Sequence, residues 1–177
     1  MEKKATRELP PAKESPSTAK PPAKPKRERV ELVGPPKPGA LTSATLFSDG
    51  GARGNPGPAA IGLVMKSESG EVVWTHGEAI GDATNNVAEY RALICGLCGA
   101  LEAGIRRLDV FLDAELIVKQ LTGEYRVKNL ALRPLFEEVR ALRGRLEYCR
   151  VRHIPRAKNR LADRLVNQAL DDQAGGA

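Results

Sequence analysis

The chain has 177 residues, 41% of them hydrophobic, which is enough for one domain with a buried core. Its apolar runs are too short to cross a bilayer, and its first residues lack the apolar segment of a secretory signal. The odd number of cysteines, three, argues against a secreted fold held by disulfides. We therefore expect a soluble cytoplasmic protein without a membrane partner.

The net charge of +6 is unevenly distributed along the chain. Residues 1–40 carry net +5, residues 41–125 net −5 and residues 126–164 net +8. A solvated surface explains each segment taken alone. An acidic half followed by a basic half is also typical of a protein that holds cations in one place and phosphates in another.

Residues 1–40 contain nine of the thirteen prolines, interleaved with Lys, Glu, Ser and Ala. Such a segment cannot bury enough apolar surface to offset its ordering entropy, so we predict a disordered tail over residues 1–40. Its positive charge would add weak, salt-sensitive attraction to nucleic acid, and a solubilising spacer explains the composition equally well. Residues 173–177 are predicted to form a flexible C-terminus.

Residues 41–172 alternate between strand and helix patterns. Three strand-like segments, ATLFSD, AAIGLVMKS and EVVWTHGEAI, predict an antiparallel meander. A helix is predicted from Asn85 to Gly104, followed by a strand (RRLDVFLD), a short helix (AELIVKQLTG), a helix with Pro134 near its start, a strand (LEYCRVRHI) and a final helix (NRLADRLVNQALDD). This order predicts an α/β fold: a mixed five-stranded sheet, with three antiparallel strands plus two parallel ones, flanked by helices.

The stretch SDGGARGNPGPAAIG, from Ser48 to Gly62, concentrates glycine and proline directly after an acidic residue. One interpretation is a hairpin loop in which Asp49 makes a local Asx-turn. The other is a carboxylate at a strand end, beside backbone that a ligand approaches closely. The remaining acidic residues decide between the two.

Four carboxylates fall where the predicted elements begin or end. Taken singly, each has a local explanation: Asp49 as a turn residue, Glu89 as the partner of Asn86 in a helix cap, Asp113 as an N-cap, and Asp163 as a solvated charge. Taken together, they converge if the first and fourth strands are neighbours. Four clustered carboxylates would repel one another unless cations lay among them, and Mg²⁺ or Mn²⁺ prefers such oxygen ligands. Two such ions suit phosphodiester cleavage.

Four sequence blocks in this order and spacing resemble the type 1 ribonuclease H family: FSDGGARGNPGPAAIG, ATNNVAEYRAL, VFLDAELIVKQ and RHIPRAKNRLADRLVNQAL. The resemblance covers Thr45 to about Leu170 and implies a ribonuclease H-like fold for residues 41–172. The segment between the fourth and fifth strands is too short for the basic handle of some members. The resemblance therefore indicates a short form of the family.

The resemblance also implies roles for individual residues. Asp49 would bridge two metal ions, with Glu89, Asp113 and Asp163 completing the two sites. His153 matches the family's loop histidine, which assists proton transfer or product release. An imidazole suits that task near neutral pH, although a histidine at a strand end bonded to a backbone carbonyl is an equal alternative.

Substrate contacts are implied for the glycine-rich stretch and for three asparagines. The GGARGNPG segment, through Gly50 and Gly51, would pass along the minor groove of an RNA–DNA hybrid, where main-chain groups reach ribose 2′-hydroxyls. Asn55, Asn85 and Asn86 match positions that contact the substrate near the cut, and turn or capping roles are compatible with this.

The resemblance implies an enzyme that hydrolyses the RNA strand of RNA–DNA hybrids endonucleolytically, leaving 5′-phosphate and 3′-hydroxyl ends. Two alternatives stay open: a non-catalytic module that binds hybrid or RNA, and a nuclease that also cuts double-stranded RNA. We expect a monomer. Cys95 and Cys98 in the CGLC motif are interpreted as buried small residues of a helix, because no second Cys/His pair completes a metal site.

The tryptophan and the three tyrosines are scattered along the chain. Trp74, Tyr90, Tyr125 and Tyr148 show no regular spacing, so they predict core or edge positions rather than a stacking surface.

Overall fold

The computed structural model describes residues 28–176 and contains the predicted five-stranded sheet, in the order β3-β2-β1-β4-β5. The strands are β1 (Ser43–Ala52), β2 (Gly57–Lys66), β3 (Val72–Ala83), β4 (Arg107–Leu112) and β5 (Tyr148–His153). The first three form an antiparallel meander, whereas β4 pairs in parallel with both β1 and β5. The prediction of three antiparallel and two parallel strands is confirmed.

Four helices flank the sheet: α1 (Asn85–Glu102), α2 (Glu115–Leu121), α3 (Arg133–Gly144) and α4 (Arg160–Gly175). Side chains of α1, α2 and α3 form one core with the inward residues of the strands. This core includes Leu97 of α1, Leu46 of β1 and Val110 of β4. Helix α4 packs on the opposite side, against β1, β2 and β3. Within residues 28–176, no helix has the length and apolar character needed to span a membrane.

The two cysteines of the CGLC motif are partly buried and pack against the main core. Burial raises the pKa of the Cys95 thiol to about 11, so that thiol is neutral at physiological pH. The neighbouring Gly99 lies against the indole ring of Trp74, where a Cβ would overlap with the ring. The cysteines therefore pack against the core, although both are only partly buried and not fully buried as predicted.

Residues 28–40, here called the N-terminal strap, belong to the predicted tail and begin with polar contacts to the sheet and to α4. Arg29 pairs with Asp172 of α4 through two hydrogen bonds of 2.7 Å, and the Gln168 side chain bonds both backbone groups of Val30. The Val33 carbonyl then accepts a hydrogen bond from the Thr75 amide at 2.9 Å. Disorder of the tail stays a prediction, and residues 1–27 lie outside the described residues.

The predicted flexible C-terminus is also shorter than expected, because α4 continues through residues 173–175 to Gly175. The end of the chain therefore adds about one helical turn beyond the predicted domain boundary at residue 172.

Candidate active site

The parallel pairing of β1 with β4 brings Asp49 beside Asp113. Phe47 lies opposite Phe111 in this ladder, and each carboxylate follows two residues later along the chain. Asp113 directly follows β4, as predicted. Asp49 does not end β1, because antiparallel pairing with β2 continues to Ala52; it lies inside the strand and is only 8% exposed. The interpretation of Asp49 as a turn residue is therefore wrong.

Glu89 reaches the same place because Gly50 allows α1 to lie directly on β1. A Cβ at Gly50 would overlap with the backbone of Ala88 and Glu89. The Gly50 amide donates a hydrogen bond to Glu89 Oε2 at 3.2 Å. This glycine is thus needed for the close approach of a helix, and its amide is engaged by a site carboxylate.

The predicted capping pair of Asn86 and Glu89 is wrong. The N-cap of α1 is Thr84, whose hydroxyl accepts from the Val87 amide at 3.3 Å. Glu89 is therefore the fifth helical residue, one turn beyond the cap. Its carboxylate has no capping role and turns toward Asp49.

Three carboxylates form a compact oxygen cluster. Asp49, Glu89 and Asp113 each offer one oxygen, and these three atoms lie within 4.8 Å of one another. Burial, together with the charges of Asp113 and Asp163, raises the pKa of Asp49 to about 7. Burial and the Asp49 charge raise the pKa of Glu89 well above its ordinary value. An all-carboxylate donor set that resists ionisation fits a hard divalent cation, which removes both the repulsion and the desolvation cost.

Asp163 joins the site from the opposite side of the sheet. It lies in the first turn of α4 and lines, with the other three carboxylates, an open cavity of about 380 Å³. Arg156 donates a hydrogen bond to Asp163 Oδ1 at 2.8 Å. All four predicted carboxylates line this cavity: three form the compact cluster, and the fourth, Asp163, has a cationic partner in this structure.

Asn159 is a site residue that the sequence interpretation missed. Its side-chain amide donates to the Ser48 carbonyl at 2.9 Å and to Asp113 Oδ1 at 3.1 Å, and the residue is only 1% exposed. It therefore fixes Asp113 against β1. Asp113 itself does not cap α2, whose N-cap is Ala114 without a side-chain hydrogen bond, so that local explanation is also wrong. An asparagine directly before a helix is ordinarily interpreted as the N-cap of that helix. The local sequence around Asn159 therefore gives no sign of its bonds to Ser48 and Asp113.

His153 lies beside the site rather than in it. It is the last residue of β5 and pairs with Leu112, which directly precedes Asp113. Its side chain is exposed and does not line the carboxylate cavity. A role in proton transfer or product release stays a prediction.

The predicted substrate contacts lie around the loop between β1 and β2. The Asn85 side chain accepts from the Ala52 amide at 2.9 Å, and the Asn55 side chain accepts from the Asn85 amide at 3.1 Å. These bonds tie the loop to the start of α1, next to the cavity that Gly51 and Asn85 help to line. Asn86 is half-buried nearby. Contact of these residues with a substrate stays a prediction.

Comparison with known proteins identifies the family. A family model described as reverse transcriptase-like matches residues 47–169. The chain is 44% identical over 126 residues to ribonuclease HI of Halobacterium salinarum and 43% identical over 133 residues to the bifunctional protein Rv2228c of Mycobacterium tuberculosis. The chain belongs to the type 1 ribonuclease H family. These alignments include 71% and 75% of this chain, but only 63% and 36% of the two relatives.

Solved structures of the ribonuclease H family have the same fold. RNase H1 from H. salinarum superposes with a TM-score of 0.72 at 42% identity, over 73% of this chain and 98% of that one. LC11-RNase H1, isolated from compost and solved in complex with an RNA/DNA hybrid, gives a TM-score of 0.71 at 41% identity, over 74% and 99%. The sheet order and the flanking helices are therefore those of ribonuclease H.

Proposed function

We propose that this protein is a ribonuclease H that hydrolyses the RNA strand of RNA–DNA hybrids endonucleolytically, leaving 5′-phosphate and 3′-hydroxyl ends. The observation that carries the proposal is the cluster of Asp49, Glu89 and Asp113, with Asp163 across the same open cavity. Such a cluster reduces the stability of the metal-free fold, so a structural role does not account for it.

The four carboxylates would hold two divalent ions, Mg²⁺ or Mn²⁺. When bound, such a pair supplies an activated water and stabilises the leaving oxygen of a phosphodiester. Asp49 clusters with Glu89 and Asp113, and it is close enough to Asp163 for that charge to raise its pKa, so Asp49 would be the ligand shared by the two ions. Asn159 holds Asp113 in position through its side-chain amide, and Gly50 holds Glu89 through its backbone amide.

The substrate proposal is supported by the cavity and by the relatives. The cavity opens beside Gly51 and Ala52 at the end of β1 and Arg53 of the following loop, so a duplex lying over the carboxylates would contact this backbone. RNA in a hybrid presents 2′-hydroxyls in a wide, shallow minor groove that backbone groups can reach. A structural relative, LC11-RNase H1, was solved with an RNA/DNA hybrid. We further propose that His153 assists proton transfer at the rim and that the enzyme acts as a monomer.

The proposal is tested by cleavage of a hybrid labelled on either strand, with Mg²⁺ or Mn²⁺. We expect the wild type and Asp82→Asn, an exposed carboxylate of β3, to cut only the RNA strand, and Asp49→Asn to be inactive. Cutting of double-stranded RNA at a comparable rate would broaden the substrate. Binding of the hybrid without cleavage in either metal would leave a binding module and refute the nuclease.

A further inference from the structure

A second surface of the sheet lies next to the carboxylates. It begins at Phe47 and Phe111, which precede Asp49 and Asp113 by two residues. In the register of the parallel strands, Phe47 lies opposite Phe111, and Phe111 lies opposite Arg152. The next rows contain Lys66, Thr45, Asp109 and Arg150, then Arg107 and Tyr148. Directly opposite residues share a face, so these side chains form one surface, here called the sheet platform.

The sheet platform is only partly covered. Among the described helices, α4 packs on this side, and it lies over β1, β2 and β3. The core that α1, α2 and α3 build is formed by the alternate residues of the same strands, such as Leu46, Val110 and Val151. Phe47, Phe111 and Tyr148 are consequently half-buried, with part of each ring facing solvent.

Phe47 and Phe111 stack on each other, and a cation lies over each ring. Phe47 and Phe111 lie with their centroids 5.3 Å apart and their planes 23° from parallel. Lys66 lies over the Phe47 ring at 5.1 Å, Arg152 over Phe111 at 5.7 Å and Arg107 over Tyr148 at 4.9 Å. Each of these rings has a cation over it, and in a complex a nucleic-acid base would replace that cation on the ring while the cation paired with a phosphate.

The charge of the sheet platform favours an anionic partner. Its cations are Lys66, Arg107, Arg150 and Arg152, and Lys158 lies beside Phe47 and Lys66 around a small cavity of about 40 Å³. The single carboxylate among these rows, Asp109, is paired with Arg152 at 3.1 Å. Cations interleaved with aromatic rings are the composition with which sheet surfaces bind single-stranded nucleic acid.

We propose that the sheet platform binds single-stranded nucleic acid, with bases stacked on Phe47 and Phe111 and phosphates paired with the surrounding cations. Duplex binding is disfavoured here, because paired bases cannot present their faces to the rings. Since same-face neighbours on a strand are about 7 Å apart, a strand on the platform would lie next to the carboxylate cavity. This binding site is independent of the proposed nuclease activity.

The proposal is tested by fluorescence anisotropy with fluorescein-labelled (dT)₁₂ in EDTA, which excludes cleavage and leaves the carboxylate cluster repulsive to phosphate. We expect Lys66→Ala/Arg150→Ala to raise the Kd about tenfold and to reduce the salt slope by about 1.4. Phe47→Leu/Phe111→Leu keeps the apolar volume but removes the rings, so it should raise the Kd about fivefold or more with the salt slope unchanged.

A control pair and a competitor separate this site from general charge attraction. Arg91→Ala/Arg140→Ala removes two exposed cations from α1 and α3 and should keep the wild-type Kd within about twofold. Polyglutamate should compete much less well than unlabelled (dT)₁₂. Thermal melting of each variant establishes that it is folded.

The proposal is overturned if (dT)₁₂ binds no better than polyglutamate, if folded leucine variants retain wild-type affinity, or if the control pair loses as much affinity as the platform pair. Cleavage of a blunt hybrid by the same variants gives the separate readout for the nuclease. If the wild type does not cleave the hybrid, the nuclease proposal is refuted, whereas the binding result is unaffected.

Discussion

Replacing Asp49 with asparagine should stabilise the metal-free protein while abolishing its activity. The side chain is buried, and burial with nearby carboxylates raises its pKa from 3.8 to about 7. That difference corresponds to an upper limit of about 4 kcal/mol for keeping the group ionised in the fold. An amide carries no charge but still loses hydration, so we expect Asp49→Asn to gain about 2 kcal/mol at pH 8 without metal.

The sign of the pH dependence follows from the direction of the shift. Because the folded state binds the Asp49 proton more tightly than the unfolded chain does, this group favours folding below its ordinary value of 3.8. That contribution is lost as the pH rises toward about 7. The metal-free wild type should therefore lose stability between about pH 4 and 7, and the variant should lose less.

The assay is urea denaturation in EDTA at pH 5 and pH 8, repeated with increasing Mg²⁺. Asp82→Asn changes the net charge equally from an exposed position of β3 and should follow the wild type at both pH values. Metal should stabilise the wild type more than Asp49→Asn, because binding to the native state alone adds to its stability. The reasoning is refuted if Asp49→Asn is less stable than the wild type at pH 8 in EDTA, or if the two pH profiles are parallel.

Three further variants test how the site is built. Gly50→Ala should destabilise the fold by about 3 kcal/mol because its Cβ overlaps with α1, whereas at Gly51 the nearest atom would be 3.4 Å away and Gly51→Ala should change stability by less than about 0.5 kcal/mol in the same urea assay. Asn159→Ala should lower kcat about tenfold in hybrid cleavage, with little change in KM, because the Asn159 amide no longer holds Asp113 in position. An unchanged kcat would exclude that positioning role. Arg156→Ala should lower the Mg²⁺ concentration for half-maximal activity about threefold, because Asp163 loses a competing cation, and an increase would contradict this.

The sheet and its order were predictable because local patterns and chain order suffice for them. Period-two burial along β1 and the apolar spacing of α1 are visible in the sequence, and the neighbouring positions of β1 and β4 follow from common mixed-sheet topology. The convergence of Asp49 and Asp113 then follows from geometry alone. Local cap rules failed here, because Glu89 accepts from the Gly50 amide and Asp113 from the Asn159 side chain, and neither carboxylate caps a helix.

The features that could not be predicted depend on contacts between distant parts of the chain. The Asn159 amide joins a carbonyl 111 residues earlier in the sequence to Asp113, and no local pattern marks that pairing. Phe47 and Phe111 are likewise isolated in the sequence and become neighbours only through strand register. The contacts of the N-terminal strap could not be predicted from its low apolar content, because they are hydrogen bonds and an ion pair with distant residues.

The N-terminal strap contacts α4, the helix that carries Asp163. Helix α4 carries Asp163 in its first turn and lies on β2 and β3 where Gly62 and Gly77 let its backbone approach closely. The strap bonds Gln168 of α4 and then Thr75 of β3, so it links the C-terminal half of the helix to the sheet. A carboxylate that must face three others has to be held against their repulsion in the absence of metal. Arg156, which pairs with Asp163, opposes that repulsion directly, and the strap adds polar contacts to Gln168 and Asp172 farther along the same helix.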